Sequence, residues 1–169
     1  MKKLLFICLL LCSATFSFAQ EYKYHPIFIY NFSKYIEWPS DKASQDFVIS
    51  VVGNNTAYRE MLGIMEKKKT IQNRNLVVKK CENLSEVGQS DVVFVTKYEK
   101  VNASDITAKL QRKGTLVITE HDNMAQNGSH INFIITEDSK IGFELNSSSA
   151  ESAGLKVSNS LAGLAKKTY

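Results

Sequence analysis

Apolar and polar positions change rhythm several times along this chain. Lys2 and Lys3 precede an almost purely apolar run, Leu4 to Cys12, and Ser17-Phe18-Ala19 follows it. From Tyr22 to Trp38 the spacing turns helical and heavily aromatic. Beyond Phe47, short continuous apolar runs alternate with amphipathic stretches. After Glu120 two apolar runs lie close together, separated only by Glu137-Asp138-Ser139.

The middle of the chain predicts alternating strands and helices. Phe47–Gly53 (FVISVVG) reads as a buried strand, Asn54-Asn55-Thr56 as a turn with an N-cap, and a helix follows through Tyr58, Met61, Leu62 and Met65. Asn75–Lys79 is a second strand. Asp91–Thr96 (DVVFVT) is a third, apolar in the continuous way of a strand covered on both faces. A helix over Ser104–Arg112 sets Ile106 and Leu110 on one face and closes at Lys113-Gly114, before a fourth strand at Thr115–Thr119. This order predicts a three-layer α/β fold, Rossmann- or flavodoxin-like, with a mostly parallel sheet flanked by helices. Val48, Val51, Val93, Val95, Leu116 and Ile118 should be buried.

The linker between Ile131–Thr136 and Lys140–Leu145 is short enough only for an antiparallel hairpin, expected at one edge of the sheet. Two helical pieces, Ser148–Ala153 and Val157–Ala165, flank Gly154, which supplies the break with Leu155 as its apolar clasp. Asn146–Ser149 reads as an N-cap cluster. With no internal repeat or interdomain linker, residues 20–169 are expected to form a single domain.

The first block has the form of a signal peptide, residues 1–19, cleaved after Ala19. Its apolar run falls short of the ~20 residues of a membrane span. Cys12 follows Leu11 and Cys8 follows Ile7, which excludes a lipidation site. The mature protein is therefore expected in the periplasm, with no direct membrane insertion. Losing Lys2 and Lys3 lowers the formal charge from +4 to +2, too little for a nucleic-acid binder. Lys67-Lys68-Lys69 and Lys166-Lys167 read as solvated helix ends. Cys81 is left alone in the mature chain, so no internal disulfide can form. It is either buried and inert or able to pair with a second copy in a homodimer.

Seven of the chain's seventeen aromatic residues lie between Tyr22 and Trp38. The segment predicts a helix ending at Trp38-Pro39, with Phe28, Phe32, Tyr35 and Ile36 as its core stripe. Phe32 and Trp38 read as structural. Tyr22, Tyr24, Phe28 and Tyr30 are the candidates for contact with another protein, because such rings cover much area with few rotatable bonds.

Candidate chemistry is sparse. Glu120-His121-Asp122 follows the fourth strand at the sheet's carboxyl edge, where α/β proteins place their sites. His25 and His130 are the only other imidazoles. Adjacent residues rarely converge on a metal, so the tripeptide reads as a polar turn before Gly128. Gly53-Asn54-Asn55 occupies the first strand-to-helix turn without a phosphate-loop pattern. Cys81 has no nucleophile elbow. No cofactor, metal site or catalytic residue is expected, and the protein is not expected to be an enzyme.

Tyr30–Pro39 (YNFSKYIEWP), Gly128–Phe133 (GSHINF), Ile141–Asn146 (IGFELN) and Ala153–Ala165 (AGLKVSNSLAGLA) carry a resemblance to the YfiR-like family of bacterial envelope proteins. Its motif positions here are Phe32, Trp38, Pro39, Gly142, Phe143, Glu144, Asn146, Gly154 and Leu155. The resemblance implies an α/β regulatory protein without chemistry of its own. Its role would be to repress a membrane-anchored signalling protein, such as a diguanylate cyclase of cyclic-di-GMP signalling, by binding its periplasmic domain. It also implies a cysteine at the start of the third strand, paired with one upstream; Cys81 matches the upstream member, but position 91 is aspartate. A second cysteine pair has no counterpart near Ile141–Gly154. Two alternatives remain: a periplasmic receptor for a small molecule, bound near Gly53–Thr56 and Glu120–Asn123, and an envelope hydrolase.

Overall fold

The computed structural model describes residues 22–39, 45–110 and 113–169. The expected signal peptide lies outside them, as do the last two residues of the helix expected over Ser104–Arg112. In chain order the elements are α1 (His25–Lys34), β1 (Ile36–Glu37), β2 (Phe47–Val52), α2 (Asn55–Lys67), β3 (Thr70–Ile71) and β4 (Arg74–Cys81). A 3-10 turn at Leu84–Glu86 leads to β5 (Val92–Val95), α3 (Ala103–Leu110), β6 (Leu116–Thr119), β7 (Ile131–Ile135) and β8 (Ile141–Leu145). The chain closes with α4 (Ser147–Ser152), β9 (Lys156–Val157), α5 (Asn159–Ala162) and β10 (Lys167–Thr168).

The result is a mixed sheet flanked by helices, in the order β10-β8-β7-β6-β5-β2-β4-β3. The five strands from β4 to β7 are parallel, while β8 returns antiparallel to β7 with Ile131 opposite Leu145 and Ile135 opposite Ile141. β1 and β9 form a separate small antiparallel sheet. Both faces of the main sheet are apolar. Val92, Phe94, Leu116 and Ile118 pack with Ile29 and Phe32 of α1 and Met61 of α2. Val93, Val95 and Val117 pack with Ile106 and Leu110 of α3. Covering on both sides is why these strands read as unbroken apolar runs.

Local signals set the helix ends. Asn54 caps α2 by accepting from Thr56 N (2.7 Å) and Ala57 N (3.0 Å), and Gly53 before it takes φ +94°. Asn146 caps α4, accepting from Ser149 N at 2.8 Å. Gly154 (φ +76°) ends that helix. Leu155 N there donates back to Ala150 O at 3.0 Å while its side chain is buried, the hydrogen-bonded stop with an apolar clasp.

Several expectations are corrected. The aromatic helix stops at Lys34, four residues before Trp38, because Ile36–Glu37 leave it to pair with Lys156–Val157. Trp38 instead packs edge-on against Phe47 (centroids 5.1 Å apart) and donates Nε1–H to Asp91 O at 3.4 Å. The helix expected over Val157–Ala165 shrinks to Asn159–Ala162, capped by Ser158. The hairpin is not the outermost element, since β10 adds beside β8. For the same reason Lys167 lies in a strand rather than at a helix end. Val48 is only half-buried, at the amino mouth of the sheet.

That mouth holds a buried ion pair. Arg74 Nη2 lies 2.8 Å from Asp91 Oδ2, with both side chains 4% exposed. Val48 N also donates to Oδ2 (2.9 Å), and Arg74 donates to Gln45 O and Asp46 O. The residue facing position 91 is thus Arg74, not Cys81. The register sets Cys81 beside Val52 at the carboxyl end of the strands, whereas Asp91 N bonds Val48 O at the amino end. Matching Cys81 to an upstream partner of position 91 is therefore wrong for this fold.

Cys81 is 4% exposed. Desolvation pushes its thiol pKa up, against an opposing hydrogen bond from Ser50. A buried, protonated thiol is a poor nucleophile, and this burial closes the route to a Cys81-linked dimer of folded chains. Iodoacetamide is expected to leave Cys81 unmodified in the native protein and to alkylate it once urea unfolds the chain. Rapid native labelling at Cys81, read by peptide mass spectrometry, would contradict the burial.

Candidate functional site: a cleft at the carboxyl edge of the sheet

The register between β6 and β7 creates the principal cavity. Their pairing ends at Thr119 opposite Asn132, while β7 runs on to Ile135. Three further residues overhang the sheet edge by about 10 Å at ~3.3 Å per residue. Below this overhang opens a cleft of about 600 Å³. One wall is the hairpin, through Phe133, Ile135, Ile141 and Glu144. The other is the loop His121–Asn123 with Lys97, and His25, Glu120 and Asn132 also line the space.

Glu120 organises this corner. Its Oε1 accepts from Tyr22 OH (2.5 Å) and from Lys97 N (2.7 Å). Its Oε2 lies 3.3 Å from His25 Nε2. The carboxylate is thereby held rather than offered, and it fastens the start of α1 to the end of β6. Asn132 fixes the next turn, its Oδ1 accepting from Thr119 Oγ1 (2.7 Å) and His121 N (3.1 Å). His121 Nε2 bonds Glu99 O at 2.8 Å. The Nδ1 atoms of His25 and His121 are buried without a hydrogen-bond partner among the described residues. Among the described residues no three His, Cys, Asp or Glu side chains converge as metal ligands.

The polar tripeptide Glu120-His121-Asp122 is therefore more than a turn, although its neighbours in space come from far away in sequence. The readable signal was the period of the aromatic segment. Tyr22, His25, Ile29, Phe32 and Ile36 recur at alternating steps of three and four, and all are buried. The expected core stripe of Phe28, Phe32, Tyr35 and Ile36 is corrected at Tyr35, which is 46% exposed.

The four residues singled out for partner contact do not share one surface. Tyr22 is 1% exposed and tied to Glu120, so it is corrected to core. Tyr30 is half-buried on the far flank of α1, where Lys34 Nζ and Lys68 Nζ lie 5.6 and 5.9 Å from its ring. Tyr24 is 54% exposed, and Phe28 lines an open apolar groove of about 350 Å³ with Phe32, Tyr35, Phe143, Leu161 and Leu164. Gly142 also lines that groove, where an added Cβ would meet Thr136 Cγ2 at 2.9 Å.

Sheet, helices and cleft define an α/β protein of the mixed-sheet kind, with a small second antiparallel sheet. Within that class, residues 22–166 match the YfiR/HmsC-like family, and the chain belongs to it. The family is regulatory rather than catalytic in general, periplasmic, and associated with diguanylate cyclase signalling. No helix among the described residues is long and apolar enough to cross a membrane. Among solved structures, a conserved domain protein from Vibrio cholerae O1 biovar El Tor strain N16961 is similar in fold, with a TM-score of 0.50 at 12% identity. The similarity covers 88% of this chain and 60% of that one. No curated protein matches the chain.

Proposed function

We propose that this chain is exported to the periplasm and represses a membrane-anchored signalling protein, such as a diguanylate cyclase, by binding its periplasmic part without chemistry of its own. The observation that carries this reading is the exposed apolar face along α1. Tyr24, Ile27 and Tyr35 are 54%, 38% and 46% exposed on its outer side, next to the groove where Leu164 is 65% exposed. Large apolar side chains exposed beside an apolar groove mark an interaction site, and family membership supplies the regulatory setting.

Pull-down from solubilised membranes with the purified protein as bait should retain a membrane-anchored signalling protein. Truncating a central interface aromatic costs about 2 kcal/mol or more, so Tyr24→Ala and Phe28→Ala should each weaken that complex at least ~30-fold. The circular dichroism of Tyr24→Ala should match wild type, whereas Tyr22→Ala, which empties a core position, should lower the melting temperature. Undiminished binding by both surface variants, or turnover of a substrate at enzyme-like rates, would overturn the proposal.

A second reading, a small-molecule receptor, is favoured by the cleft itself. The parallel strands run in the order β4-β2-β5-β6-β7, which reverses between β2 and β5, and open α/β sheets bind ligands outside the carboxyl ends of their strands. The cleft opens at β6, beyond the switch between β2 and β5.

A further inference from the structure

We infer that the exposed face of α1 takes an acidic amphipathic helix, with apolar side chains seated in the groove and carboxylates meeting lysines along the opposite edge. The inference rests on the repressor reading and adds the chemistry of the partner segment that docks there. No acidic residue stands between Tyr22 and Ile36. The outward positions of α1 sort by charge. Phe28 and Tyr35 line the groove, and Tyr24 and Ile27 are exposed beside it. The edge toward α2 is basic: Lys34 Nζ lies 5.6 Å from the Tyr30 ring, and Lys68 Nζ, from the end of α2, lies 5.9 Å from the same ring. Both lysines are exposed. Neither has an ion-pair partner among the described residues, unlike Lys80, Lys109, Lys140 and Lys156, which each stand beside a carboxylate.

Complementarity then defines the occupant: carboxylates along one edge and apolar side chains along the other. A second copy docked through the same surface brings no carboxylate, since neither α1 nor the groove lining holds one. An anionic lipid surface would answer the lysines, but the groove of about 350 Å³ between α1 and Phe143 is recessed and takes side chains rather than a plane. Tyr24, Phe28, Asn31 and Tyr35 follow one another at steps of four, three and four. They span about 16 Å at ~1.5 Å per residue. Side chains one turn apart form the ridge that a second helix packs against, in the helix-in-groove mode of recognition.

Two fluorescent peptides of ~18 residues, long enough to be helical in isolation, test it on the purified protein by anisotropy. Both carry the same leucine stripe at helical spacing; the polar face is glutamate in one and lysine in the other. The glutamate peptide should bind saturably and weaken as sodium chloride is raised. The lysine peptide should bind about tenfold more weakly. Lys34→Glu combined with Lys68→Glu should invert this preference with an unchanged circular dichroism spectrum, whereas Phe28→Ala should weaken both peptides alike. Lys79→Glu, at an exposed position of β4, should bind as wild type. No saturable binding of the glutamate peptide up to about 1 mM, equal binding of both peptides, or a preference unmoved by the double reversal would overturn the inference. So would binding to phosphatidylglycerol vesicles, in place of the peptide, that the double reversal abolishes. In the membrane pull-down, capture lost in Phe28→Ala but kept in the double reversal would sink the acidic occupant alone and leave the repressor reading standing.

Discussion

Asp91→Ala is expected to destabilise the fold by about 3–5 kcal/mol, the range for removing one partner of a buried ion pair. The loss strands the Arg74 guanidinium, 4% exposed, with the carbonyls of Gln45 and Asp46 as its remaining acceptors among the described residues. It also removes the acceptor of Val48 N. Urea denaturation monitored by circular dichroism reads the effect as a lowered midpoint. Asp91→Leu combined with Arg74→Met should lose less than the sum of the two single changes, because an apolar pair leaves no uncompensated charge. A cost below about 1 kcal/mol for Asp91→Ala, the scale of an exposed pair, would show that this site is wetter than its burial indicates. The pair lies where the register joins the amino ends of β2, β4 and β5, so the loss should be global rather than a local fraying.

Acid should weaken the protein through His130. This imidazole is fully buried and accepts from Val117 N through Nδ1 at 3.0 Å, while Nε2 has no partner among the described residues. Desolvation lowers its pKa from 6.5 to about 4. The folded state therefore resists the proton that the unfolded chain takes up below pH 6.5. Stability from this group is complete above pH 6.5, falls as the pH drops toward 4, and falls no further below that. The difference between the two pKa values corresponds to about 3 kcal/mol at 1.36 kcal/mol per unit. His130→Asn keeps an oxygen acceptor for Val117 N and cannot titrate, so its unfolding free energy should change less between pH 7 and pH 4. Equal pH dependence in the two proteins would place the acid sensitivity elsewhere.

His130 also shows what a sequence leaves open. It sits in the GSHINF motif that helped reveal the family, yet nothing in that motif says that its side chain caps β6 from within the sheet. The same division runs through the whole chain. Asn54, Asn146 and Gly154 were readable because capping and left-handed turns act over a few residues, through bonds that neighbours make with one another. The strands β2, β5 and β6 were readable because covering on both faces removes the polar alternation. Their parallel order followed from the helices between them, and the hairpin from a linker too short for any other path.

What the tertiary structure decided are the contacts made across long chain separations. Ile36–Glu37 carry no strand pattern of their own and become extended because Lys156–Val157 lie beside them. Tyr22 looked like an exposed anchor until Glu120, ninety-eight residues away, took its hydroxyl into the core. Cys81 and position 91 seem near in sequence, but register holds them at opposite ends of the sheet, and Arg74 stands in the place a partner would occupy. The cleft has the same origin: it exists because β7 outruns β6, a difference in length that neither strand's composition encodes. Periodicity fixes which face of an element is apolar; which distant element covers that face is set by topology.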